Sequence, residues 1–133
     1  MRAMSAFASG TCTTEASAAE TLLDRQCIEE IRYIERATGR NDVLSGFVRT
    51  LESSLAGFRE AFSDCIARGD TKGATRAAHT LKGTCRQLGA QALGDLFADI
   101  ESRARTGDYA GAKRCFDGGA SLIVKSLQAL KRA

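Results

Sequence analysis

Between positions 44 and 66 the apolar residues Leu44, Val48, Leu51, Leu55, Phe58, Phe62 and Ile66 recur at alternating steps of four and three. Only an α-helix brings such positions onto one side, and a long helix with one apolar stripe must bury it against other elements. The rest of the chain supplies partners of the same kind. Leu93, Leu96, Phe97, Ile100 and Ala104 repeat the spacing, as do Ala112, Cys115, Phe116, Gly119, Leu122, Ile123, Leu127 and Leu130. Leu22, Leu23, Ile28, Ile31 and Ile34 suggest a helix that leads into them. Proline and tryptophan are absent and Ala, Leu, Arg, Glu and Gly are abundant, which favours helices over strands.

Glycine followed by a capping residue divides these stretches at Gly39-Arg40-Asn41-Asp42, Gly69-Asp70 and Gly107-Asp108. Glycine can take the left-handed conformation that closes a helix, and the Asn or Asp oxygen can accept the first free N–H groups of the next. A further joint is expected at Leu88-Gly89-Ala90, where so short a turn leaves its two helices antiparallel. Five helices follow, near 20 to 38, 42 to 68, 70 to 88, 90 to 106 and 109 to 131. The expected fold is all-α, an antiparallel four-helix bundle with an additional short N-terminal helix. Residues 1–19 are small and polar without sustained periodicity and read as a flexible tail or a leader, while 20–133 form one domain.

Several function classes lose support at this level. A net charge of +3 is too small to call for nucleic acid or a membrane surface. The five cysteines, at 12, 27, 65, 85 and 115, form no C-x-x-C pair and have no companion histidine at metal-ligand spacing. Reduced thiols in a cytoplasmic protein fit them best. No apolar run reaches the roughly 18 residues that span a bilayer, and the N-terminus lacks the apolar core of a secretory signal.

The helix near 70 to 88 carries the chemistry. Placed at 100° per residue, Ala74, Ala77, Ala78, Leu81, Cys85 and Leu88 form one apolar stripe. His79, the only histidine of the chain, points roughly 140° away from it and is expected at the surface. Lys72, Arg76, Lys82 and Arg86 lie seven and three residues before and after His79, hence on its own face. An ordinary solvated face mixes both signs, because like charges at this spacing repel by a few tenths of a kcal/mol per pair, so the stripe suits an anionic group or an acidic partner. Gly83 lies one turn from His79, although glycine within a helix costs about 1 kcal/mol relative to alanine. Its use there is clearance for whatever approaches the imidazole.

His79-Thr80-Leu81-Lys82-Gly83 followed by Leu88-Gly89-Ala90 resembles the signature of histidine-containing phosphotransfer (HPt) domains of multistep phosphorelays. The likeness takes in Ala78, Leu93, Leu96, Phe97, Ile100, Glu101 and Arg105-Thr106-Gly107-Asp108, and spans about residues 22 to 131. It implies that His79 is the phosphoacceptor, that Lys82 offsets the charge of the phosphoryl oxygens and that Gly83 leaves them room. Partners would be receiver domains of hybrid sensor kinases and response regulators, met by Lys72, Arg76 and Arg86. The chain would act as a monomeric phosphocarrier without kinase activity and without a cofactor of its own, magnesium being supplied by the receiver. The resemblance does not single out the residue that orients the His79 ring.

Three other readings stand beside this one. The chain could be a helical interaction module whose histidine is never phosphorylated, with the charged stripe serving solubility. A nucleic-acid binder is poorly served, since no aromatic residues interleave with the basic ones. A hydrolase using His79 as base lacks a Ser, Cys or Asp at a convincing spacing. The last helix runs almost to Ala133 with no linker after it, which favours a free-standing protein over a domain of a longer kinase.

Overall fold

The computed structural model describes residues 22–133; the tail expected over 1–19, and Cys12 with it, lies outside them. Six helices follow one another: α1 (Arg25–Thr38), α2 (Val43–Ala67), α3 (Thr71–Gln87), α4 (Gln91–Arg105), α5 (Tyr109–Gly118) and α6 (Ala120–Arg132). No strand occurs among the described residues. Helix α2 packs on α3, α3 on α4 and α4 on α5, while α6 returns against α2 and α4 and α1 lies on α2. The result is the expected helical bundle with its extra N-terminal helix.

The apolar stripes meet as their spacing requires. Leu44, Val48, Leu51, Leu55, Phe58 and Phe62 of α2 are buried, together with Ala74, Ala78, Leu81 and Cys85 of α3 and Leu93, Phe97, Ile100 and Ala104 of α4. Phe58 sits at the centre of an aromatic cluster, with its ring centroid 5.2 Å from Phe97 in an edge-on arrangement and 5.0 Å from Phe116. Edge-on pairs place the positive rim of one ring on the negative face of the other, which adds to the stabilisation from burial. Burial of the Cys85 thiol pushes its pKa up to about 12, so it packs as a neutral side chain. The four described cysteines are free thiols.

Each expected turn glycine, Gly39, Gly69, Gly89 and Gly107, has a positive φ. Asp70 and Asp108 then cap α3 and α5 by accepting from the Gly73 and Gly111 N–H groups. The start of α2 is built differently. Asp42 makes no capping bond with its side chain and is engaged by Arg40 at 3.0 Å. Glu35, buried at the end of α1, instead accepts from the Val43 and Leu44 N–H groups, each at 3.0 Å. The inward position at this end of α1 is thus taken by Glu35, and Ile34, which the spacing suggested for the core, is exposed.

The expected last helix is two. Helix α5 ends at Gly118 and α6 begins at Ala120, with Gly119 between them. Paired glycines weaken a helix at one point, and here the missing side chain matters, because a Cβ on Gly119 would run into Leu96 of α4. The apolar stripe continues across the break, which is why its periodicity does not reveal it.

Candidate functional site

The site is built on the α3–α4 hairpin. Residues 88–90 form the turn, with Leu88 and Ala90 buried and Gly89 at φ +79. Helices leaving so short a turn run side by side, so residues equally far from it face each other. His79 and Glu101 each lie eleven residues from Ala90, and they meet.

His79 Nδ1 is 3.0 Å from Glu101 Oε2, and the histidine side chain is 63% exposed against 7% for Glu101. Lys82 Nζ lies 2.7 Å from the other carboxylate oxygen, Oε1. Arg105, one turn beyond Glu101 on α4, donates from Nη2 to Oε2 at 2.8 Å. A nearly buried carboxylate thus holds two cations and an imidazole. Burial alone would raise its pKa, but the bonds from Lys82 and His79 outweigh that and hold the carboxyl below its ordinary value. Glu101 is therefore ionised near neutral pH and can only accept, so Nδ1 is the ring nitrogen that carries the hydrogen. In the neutral ring Nε2 then keeps its lone pair.

Gly83 faces open space: a Cβ added there would meet no atom within 4 Å. Nothing within the fold asks for glycine at this position. The four expected cations part company. Lys82 turns in toward Glu101 and is 21% exposed. Arg86 lies along Gly94 and reaches Asp95 at 3.4 Å, so an anion of its own chain offsets its charge. Lys72 and Arg76 line an open cleft of about 500 Å³ together with Thr71, Thr75, His79, Glu101 and Arg105. The basic face is thereby shifted toward the N-terminal end of α3, where the Thr71 hydroxyl is hydrogen-bonded to that of Tyr109 of α5.

Glu101 and Arg105 are the residues whose roles the sequence pattern did not reveal. A usable signal was present in the carboxylate at 101, which stands among Leu93, Phe97, Ile100 and Ala104 on the buried side of α4. Acidic residues are rarely buried without a partner. Counting from the turn would have indicated His79 as that partner.

Among the described residues no three His, Cys, Asp or Glu side chains come together as metal ligands, and no helix is long and apolar enough to cross a membrane. A family model described as the Hpt domain matches residues 42–133, so the match begins at α2 and leaves α1 outside. No curated protein and no solved structure matches the chain.

Proposed function

We propose, since this chain belongs to the Hpt domain family, that it relays a phosphoryl group between His79 and aspartates of receiver domains. The Nε2 lone pair attacks the phosphorus of a receiver's aspartyl phosphate. The P–O bond to the aspartate breaks, its electron pair leaving on the carboxylate oxygen, and a new N–P bond forms at Nε2. The observation that carries this reading is an exposed imidazole tied through Nδ1 to a buried carboxylate, on a helix whose next turn carries the uncrowded Gly83.

A loose phosphoryl-transfer transition state needs positioning and charge stabilisation more than covalent help from the acceptor. Glu101 supplies the first by fixing the ring. Lys82 and Arg105 supply the second, since together they exceed the charge of the single carboxylate they share. Lys72 and Arg76 present a positive wall to the acidic rim of a receiver, and they steer encounter more than they contribute to affinity. Arg86 has a smaller part in docking because Asp95 already faces it. Magnesium and the acidic cluster that binds it come with the receiver. On this reading the chain is a monomeric carrier, not a kinase, and works in the cytoplasm where receivers are found.

Incubation with phosphorylated receiver domains tests the proposal. Acid-labile label should pass to this chain and be absent from His79→Gln. Label that persists in His79→Gln, or a wild-type chain that no receiver labels, would leave only a helical interaction module.

A further inference from the structure

The relay reading says where the phosphoryl group goes but not what happens to the other nitrogen of the ring. In the unphosphorylated protein Nδ1 carries a hydrogen that points at Glu101 Oε2, 3.0 Å away. When the Nε2 lone pair forms its bond to phosphorus, the ring keeps that hydrogen unless a base removes it, and it then bears a positive charge. Two outcomes differ sharply in chemistry. If the hydrogen stays, the later attack of an acceptor oxygen on phosphorus breaks the N–P bond and returns the electron pair to Nε2, and a neutral imidazole leaves. If the hydrogen is lost, the group that must leave is an imidazolide anion, a far stronger base and a far poorer leaving group.

We propose that Glu101 is a positioning residue whose negative charge keeps the hydrogen on Nδ1 throughout the phosphorylated state, so that the relay loads and discharges without any proton transfer at His79. The proposal rests on the relay reading and adds to it a function for the charge of Glu101 beyond its shape. Its ground is the surroundings of the carboxylate. Glu101 is nearly buried, so its charge acts on the ring through little solvent. It is held by Lys82 on one oxygen, while Arg105 shares with His79 the other. Lys72 and Arg76 are the remaining charged groups of the cleft, and on the α5 side the hydroxyl of Tyr109 is occupied by Thr71. Among the described residues, every other charged group lining the cleft or contacting Glu101 is a cation and would drive the hydrogen off a positively charged imidazole. Among them Glu101 alone carries the negative charge that holds it in place.

The arrangement makes the two cations beside Glu101 opponents of discharge through the ring, although they favour it through the phosphoryl oxygens. Glutamine at 101 can still accept from Nδ1 and keep the ring oriented, but it has no charge to oppose Lys82 and Arg105. Arg105→Gln should act in the other direction on the ring, because it frees Oε2 for His79.

The test needs no receiver. The full chain, labelled with nitrogen-15 at histidine, is phosphorylated with the small-molecule donor phosphoramidate and followed by nitrogen and phosphorus NMR across neutral to alkaline pH. In the wild type the Nδ1 resonance should stay at the position of a protonated nitrogen, and Arg105→Gln should hold it there to higher pH. In Glu101→Gln it should move to that of an unprotonated nitrogen at a pH lower by about one unit or more. Over the same interval, loss of the phosphoryl group to water should be about tenfold slower in Glu101→Gln. Correct folding of each variant is read from the amide spectrum. An unprotonated Nδ1 in the phosphorylated wild type at neutral pH, or identical titration of wild type and Glu101→Gln, overturns the proposal. Failure of the relay reading would show itself separately, as a chain that phosphoramidate labels and no receiver accepts from or donates to.

Discussion

At Gly83 the needs of the fold and those of a visiting domain can be separated by substitution. An added methyl group meets nothing in the chain, so Gly83→Ala should stabilise the protein by about 0.5–1 kcal/mol in urea unfolding. Gly83→Leu should fold equally well and yet lose most of its labelling by receivers, since on the relay reading its side chain would obstruct a receiver docking at His79. Equal transfer by the leucine variant would remove the clearance role. Lys82→Ala should slow transfer by about 10²-fold, the scale for loss of one charge-stabilising donor, while leaving the helical signal intact.

Glu101 also makes the site sensitive to acid. Its pKa is lower in the folded chain than the ordinary 4.5, so the folded state binds fewer protons than the unfolded one as that value is approached from above. The stability it contributes is complete above about 4.5 and is lost as pH falls through the lower, folded value. Chemical denaturation at a series of pH values should show this loss in the wild type, with a shallower slope below 4.5 in Glu101→Gln.

At the scale of elements, two contacts by α1 are informative because α1 lies outside the matched residues. Glu35 caps α2 from the preceding helix, with its carboxyl held below the ordinary value first by the Leu44 N–H and then by Arg32. Glu35→Ala should therefore speed hydrogen exchange first at Val43 and Leu44, and Asp42→Ala should do so much less, in contrast to what the position of Asp42 alone would suggest. The second contact is at Gly89. Its φ of +79 disfavours any side chain, and a Cβ there would come within 2.8 Å of the Asp24 carbonyl oxygen and 2.9 Å of Cys27 Cβ. Gly89→Ala should cost about 2 kcal/mol from the backbone alone and should loosen α1 from the hairpin, seen as proteolysis between α1 and α2.

In the whole molecule, stability is concentrated where α2, α4 and α5 exchange aromatic rings. Phe97 is fully buried against Phe58 and Phe116, so Phe97→Ala should cost about 3–5 kcal/mol, a large part of the stability of a domain this size. That loss should appear as a lower urea midpoint with an unchanged slope. Because the aromatic rings lie in the core and none lines the cleft beside His79, whatever fraction of Phe97→Ala remains folded should still be labelled by receivers.

Helices, most turn positions and the outward face of His79 were legible in the sequence because each follows from a local rule: apolar spacing, glycine at a left-handed position, rotation of 100° per residue. Three features were not. The break at Gly119, the capping of α2 by Glu35 and the carboxylate behind His79 all depend on which residues of different helices come to share a space. Local periodicity ranks the faces of each helix, whereas the register between helices is decided only when whole apolar surfaces are packed together. Local rules alone therefore turned one imidazole outward among cations. Tertiary packing decided that Glu101 and Arg105 would stand behind it, that Asp95 would face Arg86, and that Lys72 and Arg76 would line the open cleft beside it.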